Sequence, residues 1–497
     1  MKTVVHYLLL ICALLGLQEL GAQDPSISYA IGIDEQNPHL ARVSISMIPQ
    51  DSLLYMPQGA GQFPRGWAQF VHHLKVVDAQ GTPITVTELP DARWAMAYTP
   101  KERIQVHYEV HLEHHKHEWG GGLDGVAYAT DWGVFYTGRA LLVLNGEARE
   151  QIPITFELPP TWKVTTPWKR TDKGQHQFVA ANQSALSLGM FFAGTHEELS
   201  FKRESFELLF ALGGSSVQSN KEEYQHMASG VLDYYIDLMG GLPNPPPDNV
   251  LDRSVVIINE AGQTDGEVIG NNISILIQKD ADDMSKMISR FIFAHEFFHL
   301  WNAKSIVPED QETEWFKEGF TNYYTLKALY HIGFLNEPAY FDALNNLFFQ
   351  RYTTDDGVGR LSMTQGQEKH AHWGLIYGGG LFVAIAQDMM IRETSDNKKS
   401  LDDLMTGLFK KYGGTHEHYT IDELQERLEA LNGKDQSDFF TTYIRGTERI
   451  PIDQYLSKAG LEAKITDDQL KVAKKETPTP LQEAMIKGML GLLDNQQ

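Results

Sequence analysis

Across residues 26–213, apolar and polar side chains alternate in short runs separated by turn residues. Arg42-Val-Ser-Ile-Ser-Met, Gln105-Val-His-Tyr-Glu-Val-His-Leu and the stretch 146–156 place every second side chain on one face, the period of a half-buried strand. Near Ser219 the period changes. Apolar residues recur at helical spacing over 222–239, strands are expected at 254–258 and 273–277, and beyond Glu318 nearly every segment is helical, including 373–394, 401–412 and 421–431. The pattern predicts an α+β chain. An N-terminal all-β domain, sandwich-like or saddle-shaped, spans 23–213; a mixed domain spans 214–335 and an α-helical domain 336–461. Residues 462–497 are polar and lysine-rich and form either a short tail or a packed helix.

The segment before that helical region carries the candidate chemistry. His295-Glu-Phe-Phe-His299 is followed, with eighteen residues between, by Glu318. On a helix, positions i and i+4 share a face, so both imidazoles can bind one cation at the ~2.0–2.1 Å of a Zn–N bond. Glu296 points ~100° round the helix, beside the metal, where a carboxylate can take a proton from water. The third ligand must come from elsewhere, and Glu318 is the candidate. Met284, Ile288, Phe291 and Ile292 lead by steps of three and four to His295 and His299, so the ligand face is expected to continue a buried stripe. Asp282 or Asp283 is placed to cap this helix, and Pro308 marks a break before a second helical segment, 313–330, which carries Glu318 in its first turns. The bland alternative, two satisfied core histidines on an amphipathic helix, leaves the placed glutamate without a role.

Composition narrows the partners. A formal charge of −23 argues against nucleic acid or an anionic membrane surface, both of which need basic patches. Lys2, an apolar run over 7–17 and Gly21-Ala22 read as a leader over 1–22 cleaved near Ala22, so the protein is expected to be exported, periplasmic or secreted, with no membrane span. Cys12, the only cysteine, lies in that leader, which excludes a disulfide or a cysteine-ligated metal in the mature chain. Two further features stand out. His107, His111, His115 and His117 share a strand parity with Glu109 and Glu113, a pattern read chiefly as the solvent side of a strand and secondarily as a second metal site. Tyr377 precedes three glycines, which disfavour a helix interior and point to a helix entry where backbone approaches something closely.

Four segments, HEFFHLWNAK at 295–304, WFKEGFTNYY at 315–324, the run from Tyr377 to Arg392, and FFTTYIRGTERIPIDQYLSKAGL at 439–461, resemble in this order the glycyl aminopeptidase family of gluzincin zinc metallopeptidases. The resemblance implies a thermolysin-like zinc peptidase catalytic domain behind the β domain, one Zn²⁺ per chain, and peptides or proteins as substrates. It implies His295, His299 and Glu318 as ligands, Glu296 as general base and Tyr377 as the phenol that steadies the oxyanion. Asn322, one turn after Glu318, is expected to partner a ligand histidine. Many relatives end in a PDZ domain, for which the residues after Leu461 are too few. The family's Gly-Gly-Leu-Glu-His strand is replaced by Thr264 to Gly270, which puts Val268 at the amine-binding position and leaves Gly266 and Glu267 as the substrate-strand residues. Release of small N-terminal residues is expected, with endopeptidase action and non-catalytic peptide binding as alternatives.

Overall fold

The computed structural model describes residues 25–492 apart from positions 121, 148, 280 and 281. The expected leader with Cys12 and its cleavage point near Ala22 lie outside the described residues, as do 493–497. The chain has a β-rich N-terminal region, a mixed middle and a helical C-terminal region. It divides into two compact units.

The first unit takes the chain up to His114 together with Gly138–Pro160 and Trp168–Ser187. Its eight-stranded sheet includes Ile27–Asp34, Asn37–Met47 and Ile104–His111, whose strict alternation of buried and accessible residues is the period-2 pattern seen in the sequence. The histidine-rich stretch leaves strand geometry after His111. His114–Lys116 is a 3-10 turn in which His114 is buried and stacked on Phe70, so the expected common parity stops there. On the strand itself His107 bonds Ser44 and Glu109 meets His73 at 2.9 Å, the ordinary polar dressing of a solvated face.

The second unit contains the candidate chemistry. Its main sheet comprises β1 (Glu197–Arg203), β2 (Phe206–Gly213), β3 (Arg253–Ala261), β4 (Asp265–Ile269) and β5 (Asn272–Gln278), in the order β1-β2-β3-β5-β4. The sequence boundary at 213 therefore cuts a sheet. Alternation identifies 197–213 as strands but carries no information about which sheet they join, and β2 pairs in parallel with β3. Buried on both faces, β2 and β3 have the apolar continuity of interior strands. Leu209, Val255 and Leu276 pack one face against a second sheet built from 127–130, 133–137, 163–165 and 190–194. Phe210, Val256 and Ile275 face the helices.

Four helices complete the frame: α1 (Lys221–Met239), α2 (Asp283–Phe298), α3 (Glu314–His331) and α4 (Gly379–Thr394). Asp282 caps α2 by accepting from Ser285 N at 2.8 Å, satisfying an otherwise unpaired donor. Helix α3 is buried on nearly all sides, and α4 likewise. The segment Gly374–Thr394 is apolar and long enough to cross a membrane, yet it is 89% buried here as a core helix. Where α3 and α4 cross, a Cβ on Gly319 would collide with the backbone of Gly380, and one on Gly380 with Trp315 O. The glycines after Tyr377 thus admit a backbone-to-backbone crossing. The C-terminal stretch is packed: Leu461–Thr466 and Gln469–Lys474 form a hairpin, and Pro480–Leu490 is a capped helix burying Met485, Ile486, Met489 and Leu490.

Candidate active site

Helix α2 ends at the histidines. His295 Nε2 lies 3.4 Å and His299 Nε2 3.2 Å from Glu318 Oε2, which the first turns of α3 bring alongside. Three donors at ~2.0–2.1 Å from a tetrahedral ion stand ~3.3–3.4 Å apart, so these separations fit zinc. The tautomers agree for His299: its Nδ1 donates to Asn302 O at 2.9 Å, which leaves Nε2 as a lone-pair donor facing the site. Burial opposes charge on both partners, but their proximity prevails. Glu318 is held well below the usual carboxylate range by His299 and His295, and His299 is raised above the ordinary imidazole value by Glu318.

The other carboxylate oxygen, Glu318 Oε1, is gripped by Lys369 Nζ at 2.8 Å, and the same ammonium meets Glu314 Oε2 at 2.7 Å. Lys369 therefore orients Glu318 and neutralises part of the buried acid. No local pattern announces it. Glu296 borders two cavities, one on each side. The first, about 370 Å³, runs past His299, Lys304 and β4; the second, about 310 Å³, is walled by Ile288, Phe291, Ile292, Phe348 and Trp373. The stripe expected to be buried is thus the wall of the second cavity, and Ile288 is 40% exposed. The core side of α2 is instead Phe293, Ala294, Phe297 and Phe298, because helical periodicity cannot distinguish a core from an apolar pocket.

Tyr377 borders both cavities. It sits in one turn of π-helix, Gly374–Gly378, that leads into α4, its ring parallel to Trp373 at 5.1 Å and stacked near His295. Asp355 fixes this entry by accepting from Leu375 N at 3.0 Å and bonding His372 Nδ1 at 2.8 Å. Burial, then Glu318, raise the phenol's pKa, so it remains a neutral donor at neutral pH. Asn322 does not partner a histidine as expected. Its amide donates to Tyr377 O at 3.2 Å, because the helix crossing puts that carbonyl nearer.

Strand β4 forms one edge of the main sheet and borders the first cavity through Gly266, Glu267 and Val268. Its pairing with β5 is continuous, with no bulge. A Cβ on Gly266 would meet Ile292 Cγ2 at 3.0 Å, so Gly266 and, by parity, Val268 face α2. Glu267 shares parity with Asp265. On that side Asp124 is fully buried with neither carboxylate oxygen hydrogen-bonded among the described residues. Burial first, then Asp265, push its pKa up to about 8. A group whose folded pKa exceeds its unfolded value stabilises fully below the unfolded pKa and loses that contribution as pH rises through about 8. Asp124→Asn is accordingly expected to gain thermal stability over the parent at pH 8 but little at pH 4, read as the gap in Tm. An equal gap at both pH values would refute the assignment.

A β-rich region is thus followed by a sheet-and-helix unit that brings His295, His299 and Glu318 together. Comparison with family models matches the Peptidase M61 N-terminal domain over residues 28–187 and M61 glycyl aminopeptidase over residues 289–379. The chain belongs to that peptidase family. Its structure is similar to the crystal structure of an aminopeptidase N family protein from Idiomarina loihiensis, with a TM-score of 0.73 over 88% of this chain and 79% of that one. At 22% identity the likeness is one of fold. A search of curated proteins found no match.

Proposed function

We propose that the protein is an exported zinc-dependent aminopeptidase that releases small N-terminal residues such as glycine or alanine. The observation that carries the zinc reading is the approach of His295 Nε2 and His299 Nε2 to 3.4 and 3.2 Å from the same oxygen, Glu318 Oε2. A zinc ion held there supplies Lewis acidity. Glu296, between the two cavities, accepts the proton of the attacking water and returns it to the leaving amine. The Tyr377 O–H donates to the oxyanion that forms on the scissile carbonyl. Lys369 holds Glu318, and Asn302 holds His299, in the orientation these roles need. Export rests on the sequence of 1–22.

The aminopeptidase reading rests on the family match and is tested directly. The zinc-loaded protein is incubated with peptides carrying free or acetylated N-termini, and the products are identified by mass spectrometry. Stepwise loss of single residues from free peptides alone is expected. Internal cleavage of acetylated peptides would replace this reading with an endopeptidase, and cleavage of neither set would remove peptidase action.

A further inference from the structure

The first cavity is ringed by three lysines, and their partners differ. Lys317 Nζ lies 2.5 Å from Glu314 Oε1, and Lys369 is shared between Glu314 and Glu318. Two cations are thereby balanced by two carboxylates. Lys304 borders the same cavity, which Glu267 and Glu296 also line; it is half-buried, feels the charge of Glu296, and forms no ion pair among the described residues. Gly266 and Val268, the β4 residues facing α2, carry no charge, so the nearest carboxylate to act on it is that of Glu296 across the cavity. Withdrawing an ammonium from water without a directly bonded partner is costly, and burial, then the nearby Lys317, depress its pKa against the attraction of Glu296.

The backbone that carries Lys304 is firmly held. Its N–H bonds His299 O at 3.0 Å, one turn beyond the metal helix. The turn it stands on is pinned by Ser305 Oγ to Leu300 O at 2.7 Å, Asn244 N to Ser305 Oγ at 2.8 Å, and Trp301 Nε1 to Gly241 O at 3.0 Å. A cation carried on a turn held in this way, bordering the same cavity of about 370 Å³ as His299, can serve as an anion subsite.

We propose that Lys304 binds a carboxylate of the peptide substrate on the His299 side of the site, selecting peptides that place an acidic side chain or a free C-terminus there. The proposal rests on the peptidase reading above.

The test uses zinc-loaded parent, Lys304→Met and Lys304→Arg proteins. Each is assayed on free-amine di- and tripeptides carrying Glu, Gln or Leu at one position in turn, with free or amidated C-termini. In the parent, kcat/KM for the carboxylate peptide is expected to exceed that of its amide counterpart about tenfold or more, the scale of one desolvated charge-assisted contact. Lys304→Met should bring that ratio close to one and Lys304→Arg should restore most of it. A Glu-over-Gln preference identifies the side chain as the source, and a free-over-amidated preference identifies the C-terminus. A ratio unchanged in Lys304→Met, or an equal fall in kcat on every peptide, overturns the proposal, the latter because it would show Lys304 acting through Glu296. If the parent cleaves nothing, the peptidase reading fails on its own. Calorimetric titration with the same peptides then decides Lys304, by whether binding depends on the carboxylate in the parent and loses that dependence in Lys304→Met.

Discussion

Replacing Glu296 with glutamine should abolish hydrolysis, by on the order of 10³-fold or more, while leaving stoichiometric zinc in place. The change is isosteric, and the three donor atoms belong to His295, His299 and Glu318, none of which it touches. What disappears is a base: a neutral amide cannot accept the proton of water at neutral pH. The contrast lies in the ligands. His299→Ala or Glu318→Ala should lose metal and activity together, since two donors remain where a tetrahedral site takes three from the protein. Metal content and kcat of each purified variant check both halves. Full activity in Glu296→Gln would remove Glu296 from the mechanism.

Tyr377→Phe should lower kcat by on the order of 10²-fold with little change in KM, the signature of a contact made only as the oxyanion forms. The substitution is clean because the ring is held by forces that phenylalanine retains. Trp373 stacks on it at 5.1 Å with 7° between the planes, and Asn322 grips its backbone carbonyl. Only the hydroxyl is removed. A kcat within a few-fold of the parent would reduce the segment to packing, whereas a raised KM at constant kcat would assign Tyr377 to substrate binding.

Legibility in the sequence follows the range of the interaction. The strands expected at 254–258 and 273–277 and the helices expected at 222–239 and 313–330 lie within a few residues of those observed, because periodicity and caps act locally. The paired histidines were readable for the same reason. Helical pitch alone places His295 and His299 one turn apart. The spacing to Glu318 suggested a third donor through family resemblance, but only the packing of α3 beside α2 brings Glu318 Oε2 within 3.4 Å of both rings.

Everything that depends on which surfaces meet was decided by tertiary structure. Alternation over 197–213 identified strands without showing that they extend the sheet of the second unit. The stripe Ile288, Phe291 and Ile292 was legible as apolar, yet whether it lines a core or a pocket depends on Phe348 and Trp373 from later in the chain. Lys369 and Asp124 carry no local signal, since each matters only through a neighbour remote in sequence. Tyr377 shows the division most sharply. Its glycines marked a close approach in sequence, but the backbone they approach is Trp315 to Gly319 of another helix, and that crossing puts the phenol beside His295. Local geometry is written in consecutive residues, whereas the meeting of two helices depends on the shapes of both.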